Sequence, residues 1–420
     1  LLTTADQRGA IRQKVKTVGW ARAAFAKLQQ RIDAYVAKTE DDPDWVVSRL
    51  AMNWDTHYVE PITEGSRTIG GEGRAPVPTP RFAGARDWKT DYGRQTPIEK
   101  LKPFNDRDGL ILLINQQTGK EEWVHPSVTG HAIERINNDL MALAADAAFL
   151  YWVTGEAKYA DFAAPILWTY MNGLHHTKPP RILDRKGGPG RIIGTATYEV
   201  IHDGIVESIA VAYDHLHGYI QADETIDGPI IEQGIKRFVD RIIAGGGRTG
   251  NWNLHQAMKI AYGGLVLDGN EAYEDGRGRE YYVDVALNAD LPHQWGITHV
   301  IREGYDQETA IWPEAPGYAF DTTANIIEIA SLLSADPNGR KALENPLLEK
   351  AVLDQLKQTY PTGHSHAMGD TDYSRIETRA AELMLDLALR EGDEDAALAF
   401  SAALQAEVAS GKYDRNEQDS

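Results

Sequence analysis

The sequence predicts an all-α dominant fold built from antiparallel helix pairs, and three observations predict it. Apolar residues recur at spacings of three and four through most of the 420 residues, the signature of amphipathic helices. Cap and turn residues punctuate these runs at intervals that suit helical hairpins. No strand-like runs alternate with the helices, as a parallel sheet would require. Successive helix pairs make a bundle, a solenoid or a closed double ring. The chain shows no fixed repeat of about 34 to 47 residues at the level of residue identity, which disfavours the standard solenoids and leaves the ring as the preferred architecture.

The first run, Ile11, Val15, Val18, Ala21, Phe25, Leu28, Ile32 and Tyr35, sets the pattern. Asp42-Pro43-Asp44 then introduces a helix expected over 43–53. From 61 to 129 the texture changes to Pro, Gly, aromatic and charged residues, a long insertion that is either ordered cleft wall or surface decoration. Within it, 109–115 and 121–124 read as a β-hairpin. Helices are expected over 130–153 and 156–173, parted by Thr154-Gly155. Residues 178–191 read as an irregular loop carrying Lys178, Arg181, Arg185, Lys186 and Arg191. Its Gly187-Gly188-Pro189-Gly190 lacks the Lys-Ser/Thr pair of a phosphate loop, so it is either a basic cleft-lining loop or a plain exposed turn. Further helices are expected over 196–216, 227–243, 253–268, 278–290, 317–334 and 343–358. Residues 359–373 break the pattern, as the start of a β-rich region would, and helices over 374–391 and 393–411 follow.

Composition narrows the function. No apolar run approaches the roughly 18 to 20 residues of a membrane span, so a soluble chain without a membrane partner is expected. A net charge of −19 argues against a protein that coats nucleic acid, while leaving room for a local basic cleft. With no cysteine, disulfides and thiolate metal sites are excluded. The opening Leu1-Leu2-Thr3-Thr4 carries neither a basic n-region nor a long apolar h-region, so any export signal was removed or never existed.

Two short segments carry the chemistry. One is Gly250-Asn251-Trp252-Asn253-Leu254-His255; the other is Gly304-Tyr305-Asp306, running through Glu308, Trp312, Pro313 and Glu314 to Pro316-Gly317-Tyr318. They offer an amide, an imidazole and a phenol from the starts of two helical runs, and His255, four residues after Asn251, shares its helix face. Such groups can remove a proton from carbon beside a carboxylate: an amide or imidazolium neutralises the carboxylate and a phenol moves the proton. Plainer readings stand beside this one, with Asn251 as a helix N-cap next to a buried Trp252 and Tyr318 as a core tyrosine at its helix start.

These two segments, followed in order by Met368-Gly369-Asp370-Thr371-Asp372, resemble the heparinase II/III and alginate lyase group of polysaccharide lyases over roughly residues 130–400. The resemblance implies an incomplete (α/α) toroid joined to a β-sandwich. It also implies β-elimination on a uronic-acid-containing anionic polysaccharide, with no cofactor, in a periplasmic or secreted enzyme. Asn251 matches that group's carboxylate-binding Asn and Tyr318 its catalytic Tyr, with Asn253 and His255 as helpers. A free phenol has a pKa of about 10, so a Tyr base needs positive charge nearby. The domain reading is a toroid over 1–358 containing the 61–129 insertion, and a segment over 359–420 leading to a sandwich not present in this chain. In that group the sandwich supplies a further His or Tyr, for which His364 or His366 is the substitute here.

Substrate contacts are expected from Trp252, from Glu314, from Arg191 of the basic loop, from His366, and from Trp312, which has an equally good core reading. Tyr198, Glu199, His202 and Asp203 sit on a helix whose buried stripe is Ile201, Ile205, Ile209 and Ala212, and face either a ring centre or water. His364, His366, Asp370 and Asp372 have ligand chemistry for zinc or calcium but no standard spacing, so no metal is expected. Two other function classes remain. One is a glycoside hydrolase on the same helical ring, with Asp306, Glu308 or Glu314 as acid and base. The other is a non-catalytic glycan-binding protein. The particular polysaccharide, the endo or exo mode and the oligomeric state are not fixed by the sequence.

Overall fold

The computed structural model describes residues 3–55, 62–64, 67–79, 92, 96–103, 110–125, 128–129, 132–182, 204–358, 360, 364–367, 369 and 378–409. Helices dominate and the sheets are small, as predicted. The chain divides into two compact units, Leu1–Gly245 and Gly246–Ser420.

In the first unit the leading periodic run forms two helices, α1 (Ala5–Thr17) and α2 (Gly19–Asp41). Val18 is extended, at φ −105° and ψ 122°, and ends one helix while opening the other; Thr17, Val18 and Gly19 are all weak helix formers. Two further hairpins are α3 (Ala132–Thr154) with α4 (Ala157–His175) and α5 (Ile205–Ala222) with α6 (Gly228–Gly245). α3 packs on α4 and α5, and α4 on α6, burying Leu140, Ala144, Leu167, Tyr170, Leu216 and Phe238.

The helix expected over 43–53 is replaced by a 3-10 turn at Val47–Arg49 and a strand, β1 (Met52–Asn53). Buried Asn137 of α3 accepts the Ala51 N–H at 2.7 Å and donates to the Ala51 carbonyl at 3.1 Å. Long-range pairing thus takes the backbone groups that a helix ladder would have used. β2 (Ile62–Glu64), β3 (Arg67–Gly71) and β4 (Val77–Pro78) follow, β4 pairing with β1. The predicted hairpin is present as β5 (Ile111–Ile114) and β6 (Glu121–Val124), in register from Ile111↔Val124 to Ile114↔Glu121. The stretch expected to be irregular from 178 begins instead as β7 (Thr177–Ile182), an edge strand antiparallel to β3. Its two prolines are tolerated because an edge strand leaves one side unpaired and the register shifts between Thr68 and Gly70.

In the second unit α7 (Asn251–Leu265) and α8 (Arg279–Asn288) form a hairpin, followed by the short pair β8 (Asp290–Leu291) and β9 (Gln294–Trp295). Then come α9 (Ile297–Gly304), α10 (Pro316–Leu332), α11 (Pro337–Leu343), α12 (Pro346–Lys357), α13 (Thr378–Glu391) and α14 (Glu394–Ala409). α10 is the hub, packing on α7, α11, α12 and α13. α9 and α11 were not expected, being only 8 and 7 residues long. Their signals were Ile297, Val300 and Ile301, buried at helical spacing, and Asp336-Pro337, an N-cap with Pro at the first helical position.

Asn253 is fully buried. It accepts the Trp295 N–H at 2.9 Å and donates to the Trp295 carbonyl at 2.9 Å. The substrate contact expected of Asn253 is therefore corrected: its amide clamps β9 against α7. Asn253→Ala takes the partner from the Trp295 N–H, while the Trp295 carbonyl keeps the Gln294 amide at 2.6 Å, and is predicted to cost about 1–3 kcal/mol, whereas half-buried Asn251→Ala stays within about 0.5 kcal/mol. Urea denaturation of the two variants checks this, and equal losses would contradict it.

Two buried ionisable groups in the first unit act in opposite directions with pH. His215 lies against the rings of Trp152 and Phe149, and neither of its ring nitrogens has a hydrogen-bond partner. Burial pushes its pKa down to about 4, against the opposing pull of Asp214. Asp139 is pushed up to about 6 by burial, with Arg135 opposing. The stability tied to neutral His215 is present above the unfolded value of about 6.5 and is lost as pH falls toward 4. The stability tied to protonated Asp139 is present at low pH and is lost as pH rises through 6. Between pH 4 and 6 the two offset one another, so His215→Phe is predicted to become less stable as pH rises across that window. Melting curves of the variant and the parent chain check this; identical pH slopes would contradict it.

Candidate active site

α7 enters through Gly250, at φ 82° and ψ −178°, a region open in practice only to glycine. The sharp turn there sets Asn251 on the first turn of α7. Pro316 occupies the start of α10, where its missing N–H is harmless, and Tyr318 follows on that helix's first turn. Both residues line one open cavity of about 660 Å³, together with Trp252, Pro313, Glu314, Ala315 and Gly369. Asn251 and Tyr318 are half-buried, and neither the amide nor the phenol hydroxyl has a hydrogen-bond partner among the described residues. One turn further along the two helices, His255 Nε2 stands 3.5 Å from Asp321 Oδ2. Asn251 and His255 are four apart on α7, and Tyr318 and Asp321 three apart on α10, so each pair shares one side of its helix. An acidic partner of this kind orients the imidazole.

The segment between Gly304 and Tyr318 is mostly scaffold. Tyr305 is buried, its hydroxyl 2.9 Å from Thr323 Oγ1, and burial pushes its phenol well up. Trp312 packs edge-on against it, centroids 5.3 Å apart at 67°. A side chain at Gly304 would collide with the Trp312 ring, which is why only glycine fits there. The Asp306 carboxylate accepts the N–H groups of Thr309 at 2.7 Å and Glu308 at 3.1 Å and the Thr309 hydroxyl at 2.7 Å. These bonds hold its pKa below the usual carboxylate range, those from Thr309 contributing most. The loop they close delivers residues 313–318 to the cavity.

Trp312 is therefore core, which corrects its reading as a substrate-facing residue: it is 7% exposed. Its indole N–H donates to Glu314 Oε2 at 2.6 Å and so fixes the Glu314 carboxylate, which does line the cavity. His366 is exposed, its Nδ1 2.8 Å from the Tyr360 hydroxyl, and is not among the residues lining the cavity, although Gly369 is. Tyr198, Glu199, His202, Asp203 and Arg191 lie outside the described residues, as do Met368, Asp370 and Asp372. Sequence reasoning missed Asp321 as the partner of His255; its signal was the helical spacing of three from Tyr318.

Residues 308–420 match the family model described as endo-acting ulvan lyase 2nd domain. That match takes in Glu314, Tyr318 and Gly369 and begins after Asn251. Over 347 residues the chain is 24% identical to an endo-acting ulvan lyase of Formosa agariphila, the alignment covering 76% of this chain and 40% of that relative. The chain thus spans less than half the length of the curated relative it matches. Both similarities support a polysaccharide lyase.

Proposed function

We propose that the second unit holds the active site of a lyase that cleaves a uronic-acid-containing anionic polysaccharide by β-elimination. The observation that carries this reading is the meeting of Asn251 and Tyr318 at one cavity, each half-buried with its polar group uncommitted. Half-buried polar groups not bonded to the protein can meet a ligand without breaking any internal hydrogen bond. In the proposed reaction the Asn251 amide donates to the sugar carboxylate, which makes the C5 proton removable by stabilising the enolate-like intermediate. The proton leaves C5, its electron pair becomes the C4–C5 double bond, and the C4–O bond breaks. Either His255, oriented by Asp321, takes the C5 proton while Tyr318 gives its own to the departing oxygen, or the Tyr318 phenolate takes the C5 proton and then passes that proton to the departing oxygen. The chain's own groups suffice for each step, so no cofactor enters.

Several finer points belong to the same proposal. The family model and the relative are both named for endo-acting ulvan lyase, which makes ulvan the first polymer to test and internal cleavage the first mode. Membership of the heparinase II/III and alginate lyase group is part of the same proposal, supported by the order of the motifs and by the helix hairpins within each unit. A polymeric polyanion does not cross a membrane, so the enzyme would work in the periplasm or outside the cell. The hydrolase alternative needs two carboxylates at the bond cleaved. Among the described residues lining the cavity Glu314 is the sole carboxylate, and Asp306 is committed to its loop.

Incubation with ulvan, alginate and heparin-type uronans, followed by ultraviolet absorbance, is expected to show unsaturated ends from at least one polymer. Tyr318→Phe and Asn251→Ala are each predicted to lower kcat/KM by about 10²–10⁴-fold, and a chelator is predicted to leave the rate unchanged. New ends that are all saturated, with activity lost in Glu314→Gln and kept in Tyr318→Phe, would replace this reading with the hydrolase.

A further inference from the structure

A second cavity of about 370 Å³ lies in the second unit, lined by Asn288, Arg302, Gln307, Asn338, Lys341 and Asn345 among others. Two cations and four amides, with no carboxylate among the described lining residues, are unusual for a chain of net charge −19. We propose that this cavity is an accessory binding site for an acidic sugar unit, one bearing a carboxylate or a sulfate. The ligand class follows from the lining, whatever chemistry the first cavity performs.

The walls are held before any ligand arrives. Asn288 Nδ2 donates to Asp284 at 2.9 Å. The Gln307 amide nitrogen donates to the carbonyls of Ile301 at 2.9 Å and of Arg302 and Tyr305 at 3.1 Å. Asn345 Oδ1 accepts the Leu347 N–H at 3.0 Å as the cap of α12. Those bonds fix the side chains and leave the amide oxygen of Gln307 and the NH2 of Asn345 as acceptor and donor for sugar hydroxyls, a low-entropy arrangement. Lys341 has no partner among the described residues. Arg302 uses Nε on Glu303 at 2.6 Å and Nη2 on His299 Nδ1 at 2.7 Å, two of its five N–H donors.

A line of side chains runs from Arg302 of this cavity to Arg248, which precedes α7 in sequence. The His299 ring bound by Arg302 stacks on Trp295, centroids 6.1 Å apart at 23°. The Arg248 guanidinium lies 5.0 Å over the Trp295 ring and pairs with Asp290. Arg248 is three residues ahead of Asn251, a reach of at most about 10 Å.

The test uses the full chain carrying Asn251→Ala and Tyr318→Phe, which weaken binding at the first cavity. It is titrated calorimetrically with glucuronate, glucose 6-sulfate, glucose and inorganic sulfate at constant ionic strength. The two acidic sugars are expected to bind at least fivefold more tightly than glucose or sulfate. Adding Arg302→Gln and Lys341→Gln, both at exposed positions, is expected to weaken them at least fivefold, with Lys341→Gln alone intermediate and the melting temperature unchanged. Affinities that ignore the two substitutions would overturn the site, and so would sulfate binding as tightly as the acidic sugars, which marks a simple anion patch. Failure of the elimination reading would appear separately, as absence of unsaturated product, and would leave this titration readable.

Discussion

The packing of α7 against α10 is the constraint on which the candidate site depends. It brings the first turns of two helices, separated in sequence by β8, β9, α8 and α9, to one cavity. The His255–Asp321 contact lies one turn deeper along the same seam. Side chains on a helix's first turn are placed by the rigid element behind them, which suits groups that must meet a reacting bond within fractions of an ångström. The cavity takes its chemistry from those turns and its walls from the 313–315 segment and Gly369.

Two buried asparagines do related work in the two units. Asn137 clamps Ala51 and Asn253 clamps Trp295, each with a donor and an acceptor bond to one residue's backbone. Each bonds both polar groups of one backbone residue, sharing the carbonyl with the Thr79 N–H at Ala51 and with the Gln294 amide at Trp295, and so fixes an irregular segment against a helix. In the second unit the clamp also sets the Trp295 ring, which lies between Arg248 and His299.

Much of the architecture was legible because burial periodicity is written locally. The long helices and the 111–124 hairpin follow from it, and Asn251 and Tyr318 were found from residue type, position at helix starts and a family resemblance. The remainder was decided by distant partners. The 43–53 segment gave up helix because Asn137 is nearby in space, and 177–182 became a strand because β3 offered an edge. Trp312 looked like a stacking platform, yet Tyr305 and Gly304 make a slot for it. Asn253 points away from the cavity for a reason local to the helix: two residues is a rotation of about 200°, so Asn251 and Asn253 cannot both face one cavity.

The most direct measurement is a crystal structure of the Tyr318→Phe chain soaked with a uronate oligosaccharide that the parent chain degrades. The account predicts a sugar carboxylate within about 3 Å of the Asn251 amide, with C5 and the bridging oxygen of the same linkage turned toward the ring at 318. An oligosaccharide seated elsewhere with the first cavity empty, or a uronate whose carboxylate points away from Asn251, would contradict it.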